Sequence, residues 1–176
     1  MTTEKLWSFP IRVENIPETG QQFTLRADDH VRANIVRAAE LIGLPRLEAQ
    51  FDVVRRGRSS AHVTGTVSAT VQQTCVVTLE PMSSEIDESI DVAFAPAAAV
   101  ASADVVVSAA GADEPPEPIV DGTIDLGALA VEFLLLGIDP YPRKGDAVFA
   151  APQEAEPAAH PFAALAALKK PEPGKA

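Results

Sequence analysis

Chemistry starts with side chains that ionise, coordinate or attack, and this chain holds few of them close together. It has one cysteine, Cys75, and three histidines, His30, His62 and His160. A metal site needs several Cys, His or carboxylate ligands at ligand spacing. No two of these histidines are spaced i, i+4 or as a strand pair, so they read as separate surface groups and no metal is expected. As a nucleophile, Cys75 needs a neighbouring cation or a helix N-terminus. It falls instead on the inward face of a strand with Val77 and Leu79, which reads as a small buried thiol. The paired acids Asp28/Asp29 and Asp87/Glu88 lie at a helix start and on an exposed strand, the places of solvated carboxylates with ordinary pKa values. The joint from Leu25 to Asp29 has two acids and no glycine, so it cannot cradle a phosphate. No Gly-x-Ser-x-Gly elbow occurs. The expectation is a protein that is not an enzyme, with no cofactor and no small-molecule substrate.

What remains is the chemistry of grip. Arg55, Arg56 and Arg58 crowd one turn, and Lys169 and Lys170 close a helical tail. Arg12, Arg26 and Arg46 add to them if the fold brings them together. Arginine's planar fork pairs with phosphate and stacks on bases. The plainer reading is that these three arginines only solvate a hairpin turn. Net charge is −11, and it is uneven: residues 1–75 hold 9 basic and 8 acidic side chains, residues 76–176 hold 5 and 17. A diffuse hold on nucleic acid needs clustered positive charge, which only the first half can supply. The acidic second half favours basic proteins. One Trp, one Tyr and seven Phe make a poor stacking platform for bases.

The elements that must position these groups follow from periodicity. Trp7, Phe9, Ile11 and Val13 alternate with polar neighbours, and Pro10 places that strand at an edge. Phe23, Leu25 and Ala27 make a second strand after a turn at Glu18–Gly20. Val31, Ile35, Ala38, Ala39 and Ile42 then form the stripe of a helix over 28–42, capped by Asp28 and stopped by Gly43 and Pro45. Strands follow at Leu47–Val53, at Ala61–Val77 with a bend or bulge at Gly65, and at Ile86–Phe94 after a turn at Glu80-Pro81-Met82. They make an antiparallel meander with one wet face. Residues 95–118, rich in Ala, Pro and acid, read as a mobile loop. Asp125 caps a helix over 125–137 that Leu126, Leu129, Ala130, Phe133 and Leu134 mark as core. Leu135, Leu136 and Ile138 widen its stripe until it is buried on most sides. Residues 146–159 read as a linker. Residues 160–176 read as a short helix and tail whose apolar side is Phe162, Leu165 and Leu168, free to dock on a partner or on the chain's own sheet.

The fold class expected is therefore α+β: an antiparallel sheet of about five or six strands packed by two main helices, one domain over 1–145, with a short C-terminal helix. No secretory leader is expected. The most apolar run, Leu129–Gly137, is far short of the roughly 20 residues that cross a bilayer. With one cysteine there is no internal disulfide, and a cytoplasmic setting without membrane contact is expected.

Three segments in register resemble one family. They are Thr74-Cys75-Val76-Val77-Thr78-Leu79-Glu80-Pro81; Asp121 to Gly127 with Asp125 and Leu126, running into Glu132–Leu136 and Pro140-Tyr141-Pro142; and the ending Pro161 to Lys170. Their order, spacing and total length look like the bacterial YceD family of large ribosomal RNA subunit accumulation proteins. The resemblance implies a role in synthesis, processing or accumulation of the large-subunit (23S) ribosomal RNA. No catalytic residue is established for the family, so Cys75, Leu79, Glu80, Pro81, Asp125 and Leu126 carry over as structural motif residues. Many members have Cys-x-x-Cys at the first motif and some have further cysteines past the second helix. Here Thr78 takes the second position and Pro140–Asp146 has no cysteine, so the metal or redox role those cysteines imply is absent. Two partners stay open: ribosomal RNA, gripped by Arg55, Arg56 and Arg58, or a basic large-subunit ribosomal protein held by the acidic surface without direct RNA contact.

Overall fold

The computed structural model describes residues 5–57, 59–97 and 115–149. Seven strands and two α-helices follow in the order β1 (Pro10–Arg12), β2 (Gln21–Arg26), α1 (Asp29–Ala38), β3 (Gly43–Arg56), β4 (Ser60–Thr74), β5 (Pro81–Pro96), β6 (Glu117–Ile119), β7 (Thr123–Asp125) and α2 (Leu126–Gly137). Strands β2-β3-β4-β5-β6 form one sheet in that order, and β1 with β7 forms a separate two-stranded ribbon.

The class is α+β, as expected, but the sheet is mixed. β2 to β5 run antiparallel, whereas β6 joins the edge parallel to β5, Glu117 to Ile119 lying against Phe94 to Pro96. A parallel return needs a crossover of about a dozen residues or more, and the stretch read as loop from 95 to 118 supplies it. Its two ends, Ala95–Pro96 and Glu117–Pro118, are strand. Residues 98–114, with the middle of that loop, lie outside the described residues.

Odd-numbered residues of β3 and β4 point to one face, and Leu47, Ala49, Phe51, Val53, Val63, Val67, Ala69 and Val71 are buried there. α1 packs on β3, and α2 packs over β4 and β5 and reaches β1. The apolar residues of both helices and the sheet make one contiguous core. Burying each large side chain is worth roughly 1.5–3 kcal/mol. The other face stays wet, with Thr64, Thr66, Ser68 and Thr70 on β4.

Several boundaries differ from the periodic reading. The first strand is only three residues long, and Val13–Asn15 turn away as a 3-10 turn. α1 stops at Ala38; Glu40 takes a positive φ of 53°, and Leu41, not the exposed Ile42, enters the core. β3 therefore begins at Gly43, four residues early. Gly65 is no bulge: the pairing runs unbroken through Phe51, Gly65 and Ile90. A side chain there would collide with the Gln50 carbonyl, so glycine lets two flat strands approach. The register shift lies instead between Gly43 and Arg46.

β4 ends at Thr74 rather than Val77. The turn spans Cys75–Glu80, closed by the Cys75 N–H donating to the Glu80 carbonyl at 2.9 Å and the Leu79 N–H donating to the Cys75 carbonyl at 2.9 Å. Pro81 and Met82, read as turn, already belong to β5. In α2 the buried side is Leu126, Leu129, Ala130, Val131 and Leu134, while Leu135 and Leu136 face solvent. The helix is thus one-sided, because it lies on the sheet's surface and nothing described covers its back.

Candidate functional site

Cys75 sits where three segments meet. It is fully buried, and its Sγ accepts the Lys144 backbone N–H at 3.4 Å. Residues 139–144, after α2, wrap this turn: the Val76 N–H donates to the Pro142 carbonyl at 2.9 Å, and Gln73 Nε2 donates to the Asp139 carbonyl at 2.9 Å. Outside, Lys144 Nζ pairs with Glu80 at 2.5 Å, a bond that raises the lysine's pKa and keeps it charged. The thiol's pKa is lowered from 9.0 to about 6, first by the Thr78 hydroxyl, then by the Thr78 and Lys144 backbone N–H groups, against the upward push of desolvation. Hydrogen bonds to the charged form favour it.

This set does not fit a metal ion. One sulfur is present, the position three residues on is Thr78 rather than a second cysteine, and the wrapping segment presents a backbone N–H rather than a ligand. Among the described residues no group of three or more His, Cys, Asp or Glu clusters at ligand distance. What the arrangement does is clasp: it ties the β4–β5 turn to the chain beyond α2. Of the motif residues here, Glu80 takes part through its ion pair and carbonyl. Leu79 is 76% exposed with a φ of 59°, a left-handed conformation that a non-glycine residue adopts at a cost.

The other motif pair is equally structural. Asp125 Oδ1 caps α2 by accepting the Ala128 N–H at 3.2 Å and also accepts the Phe9 N–H at 2.7 Å. Its Oδ2 accepts from Ser8 Oγ at 2.7 Å and Lys5 Nζ at 2.8 Å. Burial pushes this carboxyl's pKa up, and the four donors together outweigh it and hold the group below its ordinary value. Leu126 is fully buried behind it.

Arg55 and Arg56, on the first hairpin, turn to opposite faces of the sheet. Arg55 pairs with Ala61 on the core face and Arg56 with Ser60 on the wet face. Arg55 stretches along the edge of the core, its side chain 24% exposed, and ion-pairs with Glu18 at 3.3 Å. Arg56 is exposed and makes no ion pair among the described residues. Arg58, Lys169 and Lys170 lie outside the described residues, as do Phe162, Leu165 and Leu168 of the tail.

The remaining basic groups are largely matched. Arg26 pairs with Glu48 at 3.3 Å and Arg46 with Glu85 at 2.8 Å. Glu85 also accepts from Thr70 Oγ1, and these donors, Thr70 first, hold its carboxyl below the ordinary range. Arg12 pairs with Glu14, Arg32 with Asp29 and Lys5 with Asp125. Asp52, Asp87 and Asp91 share the wet face with His62, whose Nε2 lies 2.6 Å from Asp91 Oδ1. That face is therefore acidic on balance. Sequence reasoning missed this matching because partners such as Arg46 and Glu85 meet only across two strand pairings.

No helix among the described residues is long and apolar enough to cross a membrane. Residues 63–169 match the family model described as large ribosomal RNA subunit accumulation protein YceD. No curated protein and no solved structure matches the chain.

Proposed function

The chain belongs to the YceD family of large ribosomal RNA subunit accumulation proteins, and from that membership we propose that it supports accumulation of the large-subunit ribosomal RNA as a non-catalytic binding protein whose immediate partner is a basic protein of the large ribosomal subunit. The observation behind the choice of partner is the matching of cations by carboxylates. Arg12, Arg26, Arg32, Arg46 and Arg55 are each ion-paired within the chain. An arginine already held by a carboxylate must give up that partner to take a phosphate, and the surrounding acids repel the RNA backbone. The same acids attract a lysine- and arginine-rich protein and raise its rate of encounter. The setting for such work is the cytoplasm.

The test is recovery of partners at moderate salt after nuclease treatment. Large-subunit ribosomal proteins that stay bound without RNA are the expected result; recovery of RNA alone overturns the proposal. Removing the protein from growing cells should lower large-subunit relative to small-subunit ribosomal RNA.

One observation favours a second reading. Arg56 stands exposed on the hairpin with no ion pair among the described residues, so the turn from Arg55 to Arg58 retains a contact for RNA. That reading expects RNA affinity that falls steeply with salt and drops when Arg55, Arg56 and Arg58 become alanine. Unchanged affinity in the triple variant removes it.

A further inference from the structure

β5 is sixteen residues long, yet its outer edge is paired only at Phe94–Pro96, by β6. The reason is in the sequence: Pro115 and Pro116, immediately before β6, lack the N–H a ladder requires. The edge below Phe94 is therefore left without a described neighbour. Beside it runs a groove of about 530 Å³ between that edge and α2. Leu129, Phe133 and Leu136, spaced i, i+4, i+7, form its apolar wall, and Leu136 is 73% exposed. Asp91, bonded to the neighbouring His62, and Glu117 and Glu132 rim it, and no Lys or Arg among the described residues lines it.

We propose that this groove takes an extended, basic segment of a partner protein, added as a strand to the edge of β5 that has no neighbour among the described residues. The inference rests on the reading that the partner is a basic protein and names the surface that holds it. Strand addition fixes which side chains go where. Alternate residues of an added strand face opposite sides of the sheet. One set meets the leucines and phenylalanine of α2, so it must be apolar. The other set meets Asp91 and the acidic rim, so it is lysine or arginine. Backbone hydrogen bonds to β5 supply sequence-independent affinity, and the two kinds of side chain supply choice. A second copy of this chain is the wrong occupant, because two β5 edges would bring Glu85, Asp87 and Asp91 against their own kind.

The experiment uses the full chain and a fluorescent peptide alternating Lys and Val over about ten residues, the length of a long strand. At about 0.15 M ionic strength it should bind. A Glu–Val peptide and the Lys–Val peptide N-methylated at every second residue should bind at least about tenfold more weakly. Glu132→Lys and Leu136→Asp, both at exposed positions, should each weaken binding about fivefold or more, while Glu40→Lys, the same charge change at the end of α1, should leave it unchanged. Thermal melts of the variants separate lost binding from lost folding. The groove is overturned by no binding by the natural chain, by equal binding of the N-methylated peptide, by binding indifferent to Glu132 and Leu136, or by binding only after residues 98–114 are replaced by a Gly/Ser linker, which would assign the edge to the chain's own segment. Self-association abolished by Leu136→Asp would overturn it in favour of a second copy. Should nuclease-resistant recovery of a ribosomal protein persist undiminished in the groove variants, the groove fails and the broader reading stands.

Discussion

Asp28 and Asp125 do the same local work at the starts of α1 and α2. Each side chain accepts the backbone N–H three residues on, Val31 at 2.8 Å and Ala128 at 3.2 Å. Beyond that the two helices diverge. Asp28 makes no further side-chain bond among the described residues, and of α1 only Ile35 is fully withdrawn from solvent, with Val31 and Val36 half-buried. Asp125 gathers Lys5, Ser8 and Phe9 as well, and α2 buries Leu126, Leu129, Val131 and Leu134. A cap that only begins a helix stabilises that helix; a cap that also collects donors from a distant segment decides where the helix sits.

The strongest way to break this contrast is to remove both carboxylates. Asp125→Ala should cost about 2–3 kcal/mol, the sum of a lost cap and of the further hydrogen bonds from Lys5, Ser8 and Phe9; Asp28→Ala should cost about 1 kcal/mol. Chemical denaturation of both variants checks this, and equal losses would erase the distinction. The same carboxyl gives a pH signature. Its folded pKa is depressed, so its stabilisation is complete above the ordinary carboxylate range and is lost as pH falls through the depressed folded value. Melting temperatures of Asp125→Asn should lack that acid slope, while Asp28→Asn should keep it.

A smaller effect tests the clasp that follows α2. With the Cys75 thiol held near 6, stability should rise as pH goes from about 6 towards the ordinary thiol value, then level off, and fade below 6. Cys75→Ala should flatten that rise. Thr78→Val should move the thiolate absorbance transition up towards its ordinary position, and an unmoved transition would remove Thr78 from the account. Smallest of all, Leu79→Gly relieves a left-handed leucine at an exposed position and should gain up to about 1 kcal/mol, read from the denaturation midpoint.

Sequence periodicity carried the argument where contacts are local. Both caps, the α+β class and the alternation of β3, β4 and β5 were readable because they depend on neighbours two to four residues away. The sheet's fifth strand, Glu117–Ile119, was not, since it lies in a proline-rich stretch whose composition imitates loop. β4 was drawn too long because Cys75 and Val77 continue its period of two past Thr74, where hydrogen bonds to Glu80 bend the chain. Arg55 and Arg56 are neighbours in sequence but face opposite sides of the sheet, because β3 runs on to Arg56. The bonds joining Asp125 to Lys5, Ser8 and Phe9 span more than a hundred residues and leave no local trace. The stripe of Leu126, Leu129, Ala130, Phe133 and Leu134 was legible in the sequence, but only the structure shows that Leu136, expected to widen it, is exposed beside the edge of β5.

The ribbon of β1 and β7 has a consequence for how the protein is made. Pro10 to Arg12 pair with Thr123 to Asp125, so this stretch, once made, waits for residues more than a hundred positions later before it is fixed. A fragment ending before residue 123 lacks both that closure and the helix shielding β4 and β5, and it presents a greasy sheet surface to its surroundings. Completion of the fold is thus tied to the synthesis of β7 and α2, and termination before them should yield aggregates rather than a smaller working protein.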